Sequence, residues 1–389
     1  MTSRHVDRGR IESLGVRNFR ALRQIEFRNL TPVTVLLGPN GSGKSTILDA
    51  FAFLAEIFSS GLRNAVDKRG RFKELRTRGV DGPITFELKY REKKNSPLVT
   101  YRLEIDEDPK GPFVAREYLS WRLGAHGRAF RFLDFSNGVG TVVAGECPGE
   151  DDARIPEKLD SRDLLAVNAL GQLATYKRVS ALRRFILDWR LSYLSGANIR
   201  SALGVVPQES LNSRKDNLPD VIHCLNDDSF EQPVIARSTS DGSLKMVGYV
   251  TLLTVPKRPP LIGIEAPEDQ VHPRLLPELA EVCRNAAASA QLIITTHSPL
   301  FLNALRPDEA WVLYRTAEGF TQARRVSEMG KIKESMAEGA LLGQLWMEGH
   351  FEVGDPLHNA GAETPSSFPR LLRGASRNTQ TRDLSGIAG

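Results

Sequence analysis

The sequence predicts an α/β protein: a mostly parallel sheet with helices on both faces, an inserted antiparallel β meander and a helical subdomain. Three observations carry this. A continuous apolar run, "VTVLL" at Val33–Leu37, leads directly into the Gly-rich stretch "GPNGSGKST" at Gly38–Thr46 and then into a helical pattern. Strand–helix alternation resumes from Ser238, where "PLIGIE", "QLIITT" and "WVLYR" read as buried strands. Between these halves, residues 84–143 carry strand-like runs separated by turn signals such as "EDPKGP" and "GAHG", the mark of a meander.

Taken in order, "ESLGV" and "LRQIEFR" read as strands joined by a turn at "RNFRA". "VTVLL" has no polar alternation, as expected of a strand buried on both faces. "KSTILDAFAFLAEIF" sets Ile47, Phe51, Leu54 and Phe58 on one helical face. The meander strands are "ITFELKY", "VTYRLEI", "FVAREYLSWRL" and "RAFRFLDF". Helical periodicity returns in "DLLAVNALGQL" and "ALRRFILDW", and "NSRKDNLPD" reads as a loop. "SDGSLKMVGYVTLL" reads as a capped helix and "PRLLPELAEVCRNAAA" as another. The expected organisation is 1–58 (N-terminal strands, phosphate loop and helix), 59–160 (β-rich insert), 161–237 (helical lid), 238–354 (second half of the sheet) and 355–389, a tail rich in Gly, Ser, Thr, Asn and Arg that reads as disordered.

With 389 residues, 41% hydrophobic and 25% charged, the chain falls in the soluble globular class. Its longest uncharged apolar run, Met246–Val255, is too short to cross a bilayer, so no membrane partner is expected. "MTSRHVDRGR" has no signal-peptide core, and Cys147, Cys224 and Cys283 are too scattered for a disulfide framework or a metal site. A cytoplasmic setting is therefore expected. The net charge of +5 leans toward a polyanionic partner. Basic residues crowd Arg63–Arg78 and Lys177–Arg190, which read either as solvated helix faces or as contacts to nucleic-acid phosphates.

"GPNGSGKS" satisfies GxxxxGK[ST] between a buried strand and a helix, the context that defines a P-loop NTPase. Gly38, Gly41 and Gly43 let the backbone turn its N–H groups inward, with Pro39, Asn40 and Ser42 completing the loop. Lys44 is expected to reach the β- and γ-phosphates of ATP, Ser45 to ligate Mg²⁺, and Thr46 to add a donor nearby. Glu265, at the carboxyl end of "LIGIE", is the expected acid on the Mg²⁺ side. His297, just past "LIITT" at the same sheet edge, is placed to sense the γ-phosphate. Ser240, Asp241 and Gly242 open a helix and form a second anion site, one that suits a nucleotide held by another subunit.

In this order the motifs resemble the ABC-type ATPases, and more narrowly the RecF/OLD/SMC-like branch of AAA-annotated ATPases in its short form without a long coiled coil. The residues that carry the resemblance are "LGVRNFRAL", "GPNGSGKST", "SDGSLK", "IEAPEDQVHP" and "ITTHSPLFLNAL", continuing through "WVLYR" to "LLGQLWMEGHF". It implies an ABC-ATPase-like mixed sheet and a homodimer, or a higher oligomer, that sandwiches two ATP molecules. Each ATP would touch one P-loop and the partner's Ser240–Gly242 segment. It further implies work on DNA or with a separate nuclease or effector, in anti-phage defence or DNA repair.

The chain departs from that pattern twice. Where the pattern has two successive acids, this chain has Glu265 and then Ala266, and the missing second acid is the one expected to polarise the attacking water. The stretch leading into "STSDG" is also short, "NDDS" joining its flanks almost directly. Three further readings compete: a transporter's nucleotide-binding subunit, a small-molecule kinase, and a non-hydrolysing ATP-locked scaffold. The atypical "TSDGS" argues against the first and "TTHSP" is left unexplained by the second, whereas Ala266 favours the third.

Overall fold

The computed structural model describes residues 9–93, 95–122, 129–144, 153–192, 245–246, 248–249, 252–253 and 259–354. In chain order the strands begin with β1 (Arg10–Phe19), β2 (Leu22–Arg28) and β3 (Val33–Leu37). There follow β4 (Ile84–Arg91), β5 (Leu98–Asp108), β6 (Gly111–Arg122), β7 (Ala129–Ser136), β8 (Val139–Val143) and β9 (Arg154–Lys158). The last are β10 (Arg190–Ser192), β11 (Leu261–Glu265), β12 (Gln291–Thr295), β13 (Ala310–Arg315) and β14 (Thr321–Arg325).

They form two sheets. The first has eight strands in the order β2-β1-β4-β5-β6-β7-β8-β9, antiparallel throughout. The meander is thus no separate sheet, because β1 and β2 form its edge. The second has six strands in the order β10-β11-β12-β3-β13-β14, parallel except for β14. This is the mixed α/β sheet expected from the sequence.

Helix α1 (Lys44–Ser60) follows β3 and lies between the sheets, with Phe51, Phe53, Leu54, Ile57 and Phe58 buried. The parallel sheet sorts its side chains by the two-residue period of a strand. Leu36, Ile293, Trp311 and Leu313 join the core around α1, while Val33, Val35, Leu37, Leu292 and Ile294 join the core on the other face. That second core is closed by α6 (Leu276–Ala286), α7 (Pro299–Leu302) and α9 (Leu342–Met347), with α8 (Gly330–Ala337) before the last. Helices α2 (Leu62–Asp67), α3 (Phe72–Leu75), α4 (Ala166–Leu170) and α5 (Lys177–Leu187) flank the first core.

Several elements differ from the sequence reading. β1 runs on through "RNF", and the chain reverses at Asn18 and Arg20, which take φ of 59° and 50°. The cause is Phe19, wholly buried and stacked on Phe53 at 5.5 Å and edge-on to Phe86 at 5.7 Å. The helical pattern at "DLLAVNALGQL" condenses to α4 alone. β8 (VGTVV) and β9 (RIPEK) extend the antiparallel sheet with strands of five residues, the second of them too polar to signal itself. The expected disordered tail at 355–389 lies outside the described residues, as do 193–237 and the short join at "NDDS".

Candidate nucleotide-binding site

The carboxyl ends of β11, β12 and β3 meet at one sheet edge, because the three strands are parallel and β12 lies between the other two. In an open parallel sheet, this edge is where ligands bind. Each strand there delivers one of the loops marked by the sequence.

The loop after β3 is shaped by its glycines. Gly43 has φ 108°, and a Cβ on it would fall 2.4 Å from Thr321 Oγ1. Gly38 has φ 147°, and its Cβ would meet the Leu313 carbonyl at 2.2 Å. Both are positions only glycine can hold. No side chain caps the start of α1, and its first turn has no acid. Its orphan N–H groups and the positive end of its dipole are left for an anion. Ser42 Oγ is buried there with no hydrogen-bond partner. Lys44 Nζ donates to the carbonyls of Gly38 at 2.8 Å and Pro39 at 3.0 Å. Burial pulls its pKa down to about 8, against the opposing charges of Glu268 and Glu265. The cradle therefore fits a polyphosphate: an uncapped helix start, a desolvated ammonium held only by two loop carbonyls, and an orphaned hydroxyl. Asn40 and Ser45 are exposed at its rim, while Pro39 and Thr46 are half-buried.

Glu265 ends β11, opposite Thr295, and is half-buried. Ala266 follows in the left-handed region at φ 43°. Its N–H donates to the Thr295 carbonyl at 3.0 Å, and its carbonyl accepts from Lys245 Nζ at 3.2 Å. Lys245 also donates to the Asp269 carbonyl at 2.9 Å, so one buried ammonium pins both ends of the turn after β11. The sequence reading contained Lys245 only as the last letter of "SDGSLK" and gave it no role.

Glu268 has two partners across the gap to β12. Its carboxylate accepts from Thr296 Oγ1 at 2.9 Å and from the His297 N–H at 2.5 Å. Thr296 Oγ1 in turn accepts from the Ser298 N–H at 3.0 Å, and Ser298 Oγ caps α7 through the Phe301 N–H at 3.3 Å. This chain of bonds fixes the loop that presents His297, whose side chain is exposed. Partial desolvation and the charge of Lys44 lower the His297 pKa below its usual value, against the opposing charges of Glu268 and Asp269.

Lys44, Glu265, Glu268 and His297 thus share one electrostatic neighbourhood. Among the described residues no group of three or more His, Cys, Asp or Glu could hold a metal unaided. A hydroxyl and one carboxylate, Ser45 and Glu265, still suit Mg²⁺, which keeps waters and takes its remaining ligands from substrate phosphates. Ser240, Asp241 and Gly242 lie outside the described residues.

Residues 10–166 match a model described as "AAA ATPase domain", and residues 151–303 match one described as "AAA domain, putative AbiEii toxin, Type IV TA system". Among solved structures, the SMC head domain from Thermotoga maritima aligns at 14% identity over 81% of this chain and 98% of its own, with a TM-score of 0.44. A Pyrococcus furiosus Smc head domain with an extended coiled coil, bound to the C-terminal domain of ScpA, aligns at 12% identity over 85% and 100%, with a TM-score of 0.47. The two family matches overlap at residues 151–166 and together show similarity to AAA-type domains over residues 10–303.

Proposed function

We propose that this chain binds ATP with Mg²⁺ at the Gly38–Thr46 loop, dimerises around two nucleotides, and hydrolyses them very slowly. The phosphate loop contributes N–H groups and Lys44 to the β- and γ-phosphates. Ser45 and Glu265 hold Mg²⁺, which when bound offsets phosphate charge. His297, presented by the loop after β12, meets the γ-phosphate. Ser240, Asp241 and Gly242 of a second copy close the site in trans. The ATP-bound dimer then signals to DNA or to a partner nuclease or effector in anti-phage defence or DNA repair, within the cytoplasm.

Slow turnover is carried by one observation: the position after Glu265 holds no carboxylate. Ala266 has no group to activate water. The nearest alternative in the chain, Glu268, already accepts two hydrogen bonds from the loop that presents His297. Moving it to serve as a base would undo that loop. A positioned general base contributes roughly 10²–10⁴-fold in rate, so Ala266→Glu should raise phosphate release by that order. The same variant should shorten the lifetime of the ATP dimer seen by light scattering, and Lys44→Ala should form no dimer at all. Brisk hydrolysis by the chain with Ala266, unchanged in Ala266→Glu, would show that the water-activating position is elsewhere. A second reading, an ATP-locked scaffold, rests on the same alanine and is favoured if Ala266→Glu hydrolyses ATP while the chain with Ala266 shows no turnover.

A further inference from the structure

We infer that Thr321 and Arg315, on the β13–β14 hairpin, are positioning residues that aim the phosphate loop's amides. The inference rests on the reading of Gly38–Thr46 as the nucleotide site. Two neighbouring carbonyls of that loop are gripped from outside by side chains of one hairpin. Thr321 Oγ1 donates to the Ser42 carbonyl at 2.9 Å, and Arg315 Nε donates to the Gly41 carbonyl at 2.6 Å.

A trans peptide holds its C=O and N–H in opposite directions within one plane. Fixing the Ser42 oxygen outward therefore fixes the Gly43 N–H inward, at the centre of the cradle. Fixing the Gly41 oxygen fixes the same peptide's Ser42 N–H, which is turned onto the loop's own Pro39 carbonyl at 3.2 Å and holds the turn closed. Glycines can flip such peptide planes at little cost, so a loop with three of them needs an external restraint to hold one orientation.

The hairpin is itself anchored. Its first strand pairs with β3 from Ala310 to Val312, and Thr321 is wholly buried, its N–H donating to the Ala21 carbonyl at 3.0 Å. Arg315 is further fixed by a bond from Nη1 to the Gly319 carbonyl at 2.7 Å. The side chain at 321 also fills the space that a Cβ on Gly43 would take. Glycine at 43 and threonine at 321 are thus two halves of one contact, separated by most of the chain.

The test is ATP affinity, measured by calorimetric titration of the full chain with Mg²⁺-ATP, for Thr321→Val, Thr321→Ser, Arg315→Ala and Lys44→Ala. Thr321→Val keeps the shape and removes the donor, and it should weaken binding about tenfold, the effect of removing one hydrogen bond from the loop. Thr321→Ser should restore it, which a mere packing role would not predict. Arg315→Ala, on an exposed side chain whose removal should leave folding intact, should weaken binding several-fold and keeps the test open if Thr321→Val fails to fold. Affinity within twofold of the natural chain for both Thr321→Val and Arg315→Ala, with Lys44→Ala unable to bind, would overturn the inference and leave the site reading intact. Full binding by Lys44→Ala would overturn both.

Discussion

At the scale of single residues, Ala266 stands out for its backbone as much as for its missing carboxylate. Its φ of 43° lies in the left-handed region, which costs an L-residue with a Cβ about 1–2 kcal/mol. The conformation is held because its N–H and carbonyl are both bonded, to Thr295 and Lys245. Ala266→Gly should relieve this cost, less the roughly 0.5–1 kcal/mol that glycine loses through its freer unfolded chain. A thermal midpoint higher by about 1–2 °C is expected, and a fall in the midpoint would mean that the turn is unstrained. The same geometry bears on Ala266→Glu. Since Ala266 already carries a Cβ in this conformation, restoring an acid adds no new backbone penalty, and the rate comparison is not confounded by unfolding. From the sequence, the departure at Ala266 was legible only against the pattern of the family that the motifs resemble, in which two acids stand in succession. The left-handed turn was not legible, because nothing local requires it. It is imposed by Thr295 and Lys245, which are distant in the chain.

At the scale of elements, a buried carboxylate ties the antiparallel sheet to α4. Glu117 on β6 is fully buried, accepts from Tyr101 Oη on β5 at 2.9 Å, and accepts the Ala166 and Val167 N–H groups at the start of α4 at 2.5 and 3.2 Å. With an apolar Leu165 at the cap position, α4 takes its capping acceptor from a strand. Burial pushes the Glu117 pKa from 4.5 up to about 7, the three donors only partly opposing it. The folded state then holds a proton that the unfolded chain has released between these values. Stability should therefore fall as pH rises from about 4.5 to about 7, by up to roughly 3 kcal/mol, and this contribution should be flat outside that window. Thermal midpoints across pH 4.5–7.5 should show this slope in the natural chain and lose it in Glu117→Gln. An equal slope in both would assign it to other groups. Such elements also mark where sequence reading ran short. Long apolar runs such as β3, β11 and β12 were legible because both faces are buried. α4 was over-extended because its helical pattern continues past the residues that Glu117 and the core hold in place.

At the scale of the whole molecule, the two basic stretches that the sequence offered as equals part company. Within Arg63–Arg78, Arg63 pairs with Asp163 at 2.9 Å, Arg69 with Asp49 at 2.9 Å and also with Glu56, Lys68 with Glu56, and Arg76 with Asp106 at 3.5 Å. Arg69 also lies over the Phe53 ring at 5.1 Å, joining the ion pairs to the core beneath them. Much of this positive charge is answered within the fold. Along α5 the balance differs. Lys93, Lys177, Arg178, Arg183 and Arg184 line a cleft of about 830 Å³ whose lining, among the described residues, includes a single acid, Glu92, which Arg178 meets at 2.5 Å. Sequence could not separate the two stretches, because their countercharges come from elements far away in the chain. If the ATP-bound protein engages DNA, α5 is therefore the face to test. Arg183→Glu with Arg184→Glu should weaken DNA binding by at least tenfold and should reduce the slope of log affinity against log salt by about one for each phosphate no longer neutralised. Arg71→Glu with Lys73→Glu, in the other stretch, should change neither. Equal weakening by both pairs would mean that the net charge of +5 acts as a diffuse field and that no defined face is used. No change from either would remove direct DNA binding through these stretches and leave a protein effector as the partner of the ATP dimer.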